Sequence, residues 1–418
     1  MELISACQEG DIEEVRDLLT DSDISPNCQY TSGQTPLYFA CEYGHVDIVR
    51  LLLSDERVDV NQENNYDQTP FSIACKQGHV DIVKLLLKDR RIDLNKADNN
   101  ERVPFCIACL SGKIEIVKLL LKDERIDVNQ TKDNGATTFS DVCEEGCLEV
   151  VKLLSSDERI DVNKPTHNDQ TPFFLACEKE HLEVVKFLLN DNRIDVNKAD
   201  NECWTPLSLA CKEGRIEVVR LLLSNPKVDI NSAENSLGYT PFFIACKKGH
   251  IGVVKLLLND ERLEANKASD NGETPFLIAC QRERTEVVKL LLNDQRININ
   301  QVDNDRQTPL FVACQFGDIE IVKYILASEK EVNLGTKDKK GRTAYDIARE
   351  GERTRDSLML WRSEEEIQKK RKKYSIVIQQ LEKFRRNRAG TRLKLRTQLG
   401  LIGKTILFIY FQFLIFNF

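Results

Sequence analysis

The string Thr-Pro-Phe-Phe-Ile-Ala-Cys at Thr240–Cys246 returns with one change at Thr171–Cys177, and kindred text recurs every 34 or 35 residues along most of the chain. Its Thr stands at Thr35, Thr69, Thr137, Thr171, Thr205, Thr240, Thr274, Thr308 and Thr343, and Val103 holds the same register. A fixed period of this size means stacked supersecondary units rather than one globular core. The 418 residues would otherwise suggest two or three domains, but a stack grows in one dimension and has no such limit. The functional question therefore moves from a pocket to an extended surface.

Residues 200–231 show what one unit is built for. Asp/Asn-rich text before Thr205 is turn chemistry, since these side chains bond nearby backbone and tolerate the left-handed region. Thr205 is suited to cap a helix that opens on Pro206, where a missing N–H costs nothing. Leu207, Leu209 and Ala210 give that short helix an apolar side, and Gly214 stops it. Ile216, Val218, Val219 and Leu221 to Leu223 then predict a second helix, apolar on most sides. Such a helix needs cover on several faces, and its neighbours in the stack supply it.

Cysteine follows the same register. Cys41, Cys75, Cys109, Cys143, Cys177, Cys211, Cys246, Cys280 and Cys314 occupy equivalent places, and Cys7 matches them at the start. Packed neighbouring helices lie roughly 8–10 Å apart, and a disulfide needs Cα atoms within about 7 Å. The spacing therefore predicts buried free thiols acting as small hydrophobes, in a reducing, intracellular setting. The opening Met1–Gly10 has no basic stretch leading into an apolar run, so no secretory signal is expected.

These residues closely resemble the ankyrin repeat. The turn reads Asn271-Gly272-Glu273-Thr274-Pro275, the start of the second helix reads Gly249-His250-Ile251, and the closing text reads Asp59-Val60-Asn61. The resemblance implies an all-α ankyrin-repeat solenoid of helix-turn-helix units with short hairpin turns. It covers residues 1–352, as an N-terminal half-unit (Glu2–Leu19) and about ten units. The family's His after Thr-Pro-Leu is absent, its place taken by residues such as Tyr38, Ser72, Phe174 and Phe243. That departure predicts apolar packing where the family makes hydrogen bonds. The family's Gly after the second helix gives way to text such as Asp55–Asn61, in a loop one residue longer.

Several motifs invite a chemical reading and do not sustain it. His45, His79, His181 and His250 share one register, but zinc ligands must converge within about 2.0–2.3 Å of one ion. Residues repeated along a stack stay a helix diameter apart. Cys106 and Cys109 form one C-x-x-C without a second ligand pair, so neither metal nor cofactor is expected. The chain has no phosphate-binding glycine loop and no nucleophile–base pairing, which predicts a protein without catalytic activity. The weakest unit is Thr131–Asn163, where Asp141 replaces an apolar residue and Ser155 replaces a Leu. It reads as a hinge or binding irregularity, or as degeneration that its neighbours tolerate.

The residue before each Thr, and before Val103, is a variable tip position: Gln34, Gln68, Arg102, Ala136, Gln170, Trp204, Tyr239, Glu273, Gln307 and Arg342. The family resemblance places such tips, with the short helices, on the concave partner-binding face. Arg102, Gln170, Trp204, Tyr239, Glu273 and Gln307 are the candidate contacts. Trp and Tyr are enriched in interface hot spots, though each ring could also fold onto its own hairpin. Other proteins are the expected partners, and the protein itself is expected to be a monomer.

Charge separates the ends. Arg362–Lys404 holds 14 Lys/Arg and 4 Asp/Glu, while the preceding 361 residues hold 45 basic and 63 acidic, a net of −18. An acidic body repels phosphates, which argues against nucleic-acid binding through the repeats. Residues 353–398 read as a charged, basic helical segment with Ser363 as its N-cap and Ile367, Tyr374, Ile378 and Leu381 on one face. It could close the open end of the stack, bind phosphates or an import receptor, lie beside a membrane, or simply be solvated. Residues 399–418 form an apolar tail. As a helix its last 14 residues would span about 21 Å against a hydrocarbon core of about 30 Å. A tail anchor holding the repeats in the cytoplasm, an aggregation-prone or disordered tail, and translated non-coding text all fit it.

Overall fold

The computed structural model describes residues 1–233, 237–353 and 364–401. The Ser363 cap and the apolar residues Thr405–Phe418 lie outside them. The described residues form 23 helices, with one isolated bridge between Thr131 and Thr137. The chain divides into two compact bodies, residues 1–201 and residues from 202 onward.

The first body opens on the helices Glu2–Glu9 and Ile12–Thr20 and continues with five short-helix/second-helix pairs, from Pro36–Tyr43 with Val46–Ser54 to Pro172–Glu178 with Leu182–Leu189. Short helices stack on short helices, and second helices on second helices. The second body holds four such pairs, from Pro206–Glu213 with Ile216–Leu223 to Pro309–Phe316 with Ile319–Ala327, followed by Ala344–Arg353. Within each body, core residues come from the same register in every unit. Phe71, Phe105, Phe139 and Phe173 in the first, and Phe242 and Phe276 in the second, are fully buried.

Local chemistry starts each short helix. The hydroxyl of Thr205 accepts from the Ser208 amide at 3.2 Å, and Thr35, Thr69, Thr137, Thr171, Thr240, Thr274 and Thr308 cap in the same way. Val103 lacks an acceptor and makes no cap. Gly214, at φ 76°, ends its helix in the left-handed region. Before several of these caps a side chain braces the turn. The Asp98 carboxylate accepts from the Asn100 and Arg102 amides at 3.0 and 2.9 Å, and Asp303 does the same for Asp305 and Gln307.

Two residues before each Thr the backbone is left-handed. Gly occupies that place at Gly33, Gly135, Gly238, Gly272 and Gly341, but Asp67, Glu101, Asp169, Cys203 and Arg306 take it at φ between 57° and 65°. A side chain there costs about 1 kcal/mol. Replacing Asp67, Asp169 or Arg306 with Gly is expected to stabilise by about 0.5–1 kcal/mol each, measured as a rise in the urea midpoint. Glu101 should gain less, because its carboxylate accepts from the Asp133 amide of the next hairpin at 2.6 Å.

Successive units are also stapled through polar groups. The Nε2–H of His45, His79 and His181 donates to the carbonyls of Gln8, Glu42 and Glu144 in the preceding unit, at 3.1, 2.9 and 2.7 Å. A Cβ on Gly10 would come within 2.6 Å of the His45 ring, so the pair works only with Gly beneath. The loop text Asp-x-Arg-x-Asp-x-Asn makes a second staple. Arg91 pairs with Asp89 at 2.6 Å and donates to the Leu53 carbonyl at 2.9 Å. That guanidinium holds the Asp89 carboxyl below its usual range. Asn61 donates to the Arg91 carbonyl and accepts from the Asp93 amide, at 2.7 and 2.8 Å.

The irregular unit is internally compensated. Asp141 is buried, meets the Lys132 ammonium at 2.5 Å and accepts from the Cys106 thiol at 3.2 Å. Thr137 and Ser140 add a reciprocal capping box, as Thr343 and Asp346 do in the last unit.

The basic segment closes the second body. Glu364–Arg386 packs on Ala344–Arg353 and on Ile319–Ala327, taking the place a second helix would have in the tenth unit. Tyr374, Val377, Ile378, Leu381 and Phe384 are buried, while Ile367 is only half-buried. The Tyr374 hydroxyl donates to the Gln315 carbonyl at 2.7 Å. Arg388–Gln398 follows and lies on Ile319–Ala327, where Arg392 donates to the Lys330 carbonyl at 3.1 Å.

Candidate protein-binding face

Each candidate tip is the last residue of the turn that precedes a cap. All six candidate contacts are half-buried there. Arg102 and Gln170 lie on the first body, and Trp204, Tyr239, Glu273 and Gln307 on the second. The Arg102 guanidinium turns back towards its own Asp98, at 3.7 Å. Gln170 and Gln307 are tied by their amides to Thr166 and Asp303.

Both aromatic tips lie against their own short helices. The Lys212 ammonium sits 4.2 Å from the Trp204 ring centre, and the indole N–H donates to Glu202 at 3.3 Å. Tyr239 stacks on Phe243 with centroids 4.5 Å apart, and Lys247 sits 4.3 Å from its ring. The aromatic surface on offer is thus dressed with lysine. Burial, then the charge of Arg282, pulls the Lys247 ammonium down from its ordinary value. Burial, then Asp303, pushes the Glu273 carboxyl up.

Lys212, Lys247 and Arg282 did not stand out in the tip register, because they follow the repeated Cys instead. The signal was available: Lys212 and Lys247 come directly after Cys211 and Cys246, and Arg282 two residues after Cys280.

The repeated thiols offer no chemistry to this face. All fourteen cysteines are free, and those of the common register are buried. Burial pushes Cys7 up to about 12 and drives Cys41, Cys75 and Cys314 higher still, so they stay protonated. Among the described residues no group of His, Cys, Asp and Glu is arranged to hold a metal.

Profiles for ankyrin repeats match residues 3–98, 91–166, 139–234 and 226–303, described as three copies, and residues 290–348, described as many copies. The chain is an ankyrin repeat protein. Ankyrin repeats generally mediate protein–protein interaction, and their fold is typically a non-catalytic scaffold. Solved structures similar to this ankyrin repeat protein include the human ASB11 ankyrin repeat domain, at 24% identity and TM-score 0.42, covering 51% of this chain and 91% of that one. The ankyrin repeat domain of Bcl-3, an IkappaB family member, matches at 20% identity and TM-score 0.48, covering 51% and 95%. No curated protein matches the sequence.

Proposed function

We propose that this protein is a non-catalytic cytoplasmic scaffold that binds partner proteins along the face made by its hairpin tips and short helices. The observation that carries this is the split between what repeats and what varies. Caps, core Phe and Cys, and staples recur from unit to unit, whereas the tips run through Gln, Arg, Ala, Trp, Tyr and Glu. Trp204 and Tyr239, on neighbouring units, are the largest of these groups. Trp204→Ala and Tyr239→Ala are each expected to weaken capture of a partner isolated with the full chain about tenfold or more. Each ring is half-buried, so the melting temperature should barely move. Unchanged affinity in both variants overturns the reading.

A second reading, a tail-anchored adaptor with its repeats facing the cytoplasm, is favoured by one observation. Lys369, Lys372, Lys373, Lys383, Arg385 and Arg386 are all exposed on the closing helix, upstream of the apolar tail. A basic flank beside an apolar stretch suits the cytoplasmic side of a membrane. Among the described residues no helix is long and apolar enough to cross a membrane, and residues 402–418 of the tail lie beyond them. Full-length protein that resists carbonate extraction, and loses that resistance without residues 399–418, supports the anchor. Release of the intact chain by carbonate rejects it.

A further inference from the structure

We propose that the face over the units beginning at Thr205, Thr240 and Thr274 takes an extended acidic segment of a partner protein, whose carboxylates meet Lys212, Lys247 and Arg282. The proposal rests on the interaction reading above and names the chemistry of the partner.

Position comes first. The short helices Pro206–Glu213, Pro241–Lys248 and Pro275–Gln281 pack side by side, and each carries one of these cations at or just beyond its C-terminal end. Two of the three are held over rings, Lys212 at Trp204 and Lys247 at Tyr239. A lysine on a ring is already partly ordered and partly desolvated. It therefore loses less freedom when a carboxylate arrives than a lysine in open water does.

Charge comes second. The repeat body has 63 acidic and 45 basic residues, whereas on this strip the two signs are balanced. Lys212, Lys247, Lys248 and Arg282 stand with four carboxylates, Glu202, Glu213, Glu273 and Glu283, and Glu202 is already engaged by the Trp204 indole. Glu273 is felt by both Lys247 and Arg282, so one carboxylate is shared between two cations. An incoming acid gives the second of those cations a carboxylate of its own.

Spacing comes third. Packed helices repeat roughly every 8–10 Å, and an extended chain advances about 3.3 Å per residue. An acidic residue at every third place thus meets one unit after another. The aromatic rings beside the lysines suit aliphatic residues in between.

Short random peptides displayed on phage and selected on the full-length chain test this. Expected are sequences rich in Asp and Glu, whose affinity falls as salt rises. Binding of the synthetic peptide should drop about tenfold in Lys247→Glu and in Arg282→Glu. It should hold in Lys255→Glu, an equal charge change on the exposed side of the second helix Ile251–Leu258. Neutral or basic peptides that depend on Trp204 would overturn the acidic partner and leave the face intact. Peptides that bind without regard to Trp204, Tyr239 or the three cations would overturn both.

Discussion

Lys132→Met is expected to cost this protein about 3 kcal/mol, because it strands a buried carboxylate. Asp141 stands where other units carry Ile73, Ile107, Leu175 or Ile278. Its side chain is 10% exposed and that of Lys132 is 20% exposed. Removing one partner of a buried pair leaves an uncompensated charge and costs roughly 3–5 kcal/mol, whereas replacing the pair by apolar groups is often neutral or stabilising. The partial exposure of Lys132 puts the expected loss at the low end. Asp141→Leu restores the apolar residue of the register and frees Lys132 to reach water, so it should be neutral or stabilising. The double variant Lys132→Met/Asp141→Leu should then recover most of what the single one lost. Urea unfolding of the four proteins closes the cycle. Equal losses in Lys132→Met and Asp141→Leu would show that the pair is not the cause. A hinge here would show as amide exchange faster than in the other internal units; the ion pair and capping box predict protection like theirs.

Phe384→Ala should cost about 3–5 kcal/mol at the far end of the second body. The ring is fully buried on the closing helix, between the array and Arg388–Gln398. In a stack each unit leans mainly on its neighbours. The loss should therefore concentrate in Ile319–Ala327, Ala344–Arg353 and the closing helices, seen as faster amide exchange there. The short helices of residues 1–201 should keep their protection. Uniform loosening along the chain would contradict a cap that acts locally.

Much of this architecture was legible because it is written in local, repeated chemistry. Thr205 and Pro206 announce a helix start within three residues, and Gly214 announces its stop. The stapling was not legible in the same way. His45 reads locally as a polar residue at a helix start, yet its partner is the carbonyl of Gln8, 37 residues earlier. A trace of it exists: His45, His79, His181 and His250 each stand one unit after a Gly. The Asp141–Lys132 pair was hidden because a charge at a core position looks like decay until its partner is seen. Amphipathicity could not choose among fates for the basic segment, since a cap and a solvated helix share the same pattern. Burial of Tyr374, Val377 and Phe384 makes that choice. Of the binding face, the tips were readable from their variation. The lysines that dress the rings left only a positional trace after the repeated Cys, since cation–ring contact depends on where a helix points its side chains.

The central claim is that the recurring text builds the stacked units and the varying text meets the partner. Amide exchange of the full chain, with and without a captured partner, tests it most directly. The account predicts new protection at the hairpins and short helices around Trp204, Tyr239 and Arg282, with the second helices and the Asp-x-Arg-x-Asp-x-Asn loops unchanged. Protection confined to those second helices and loops would contradict it.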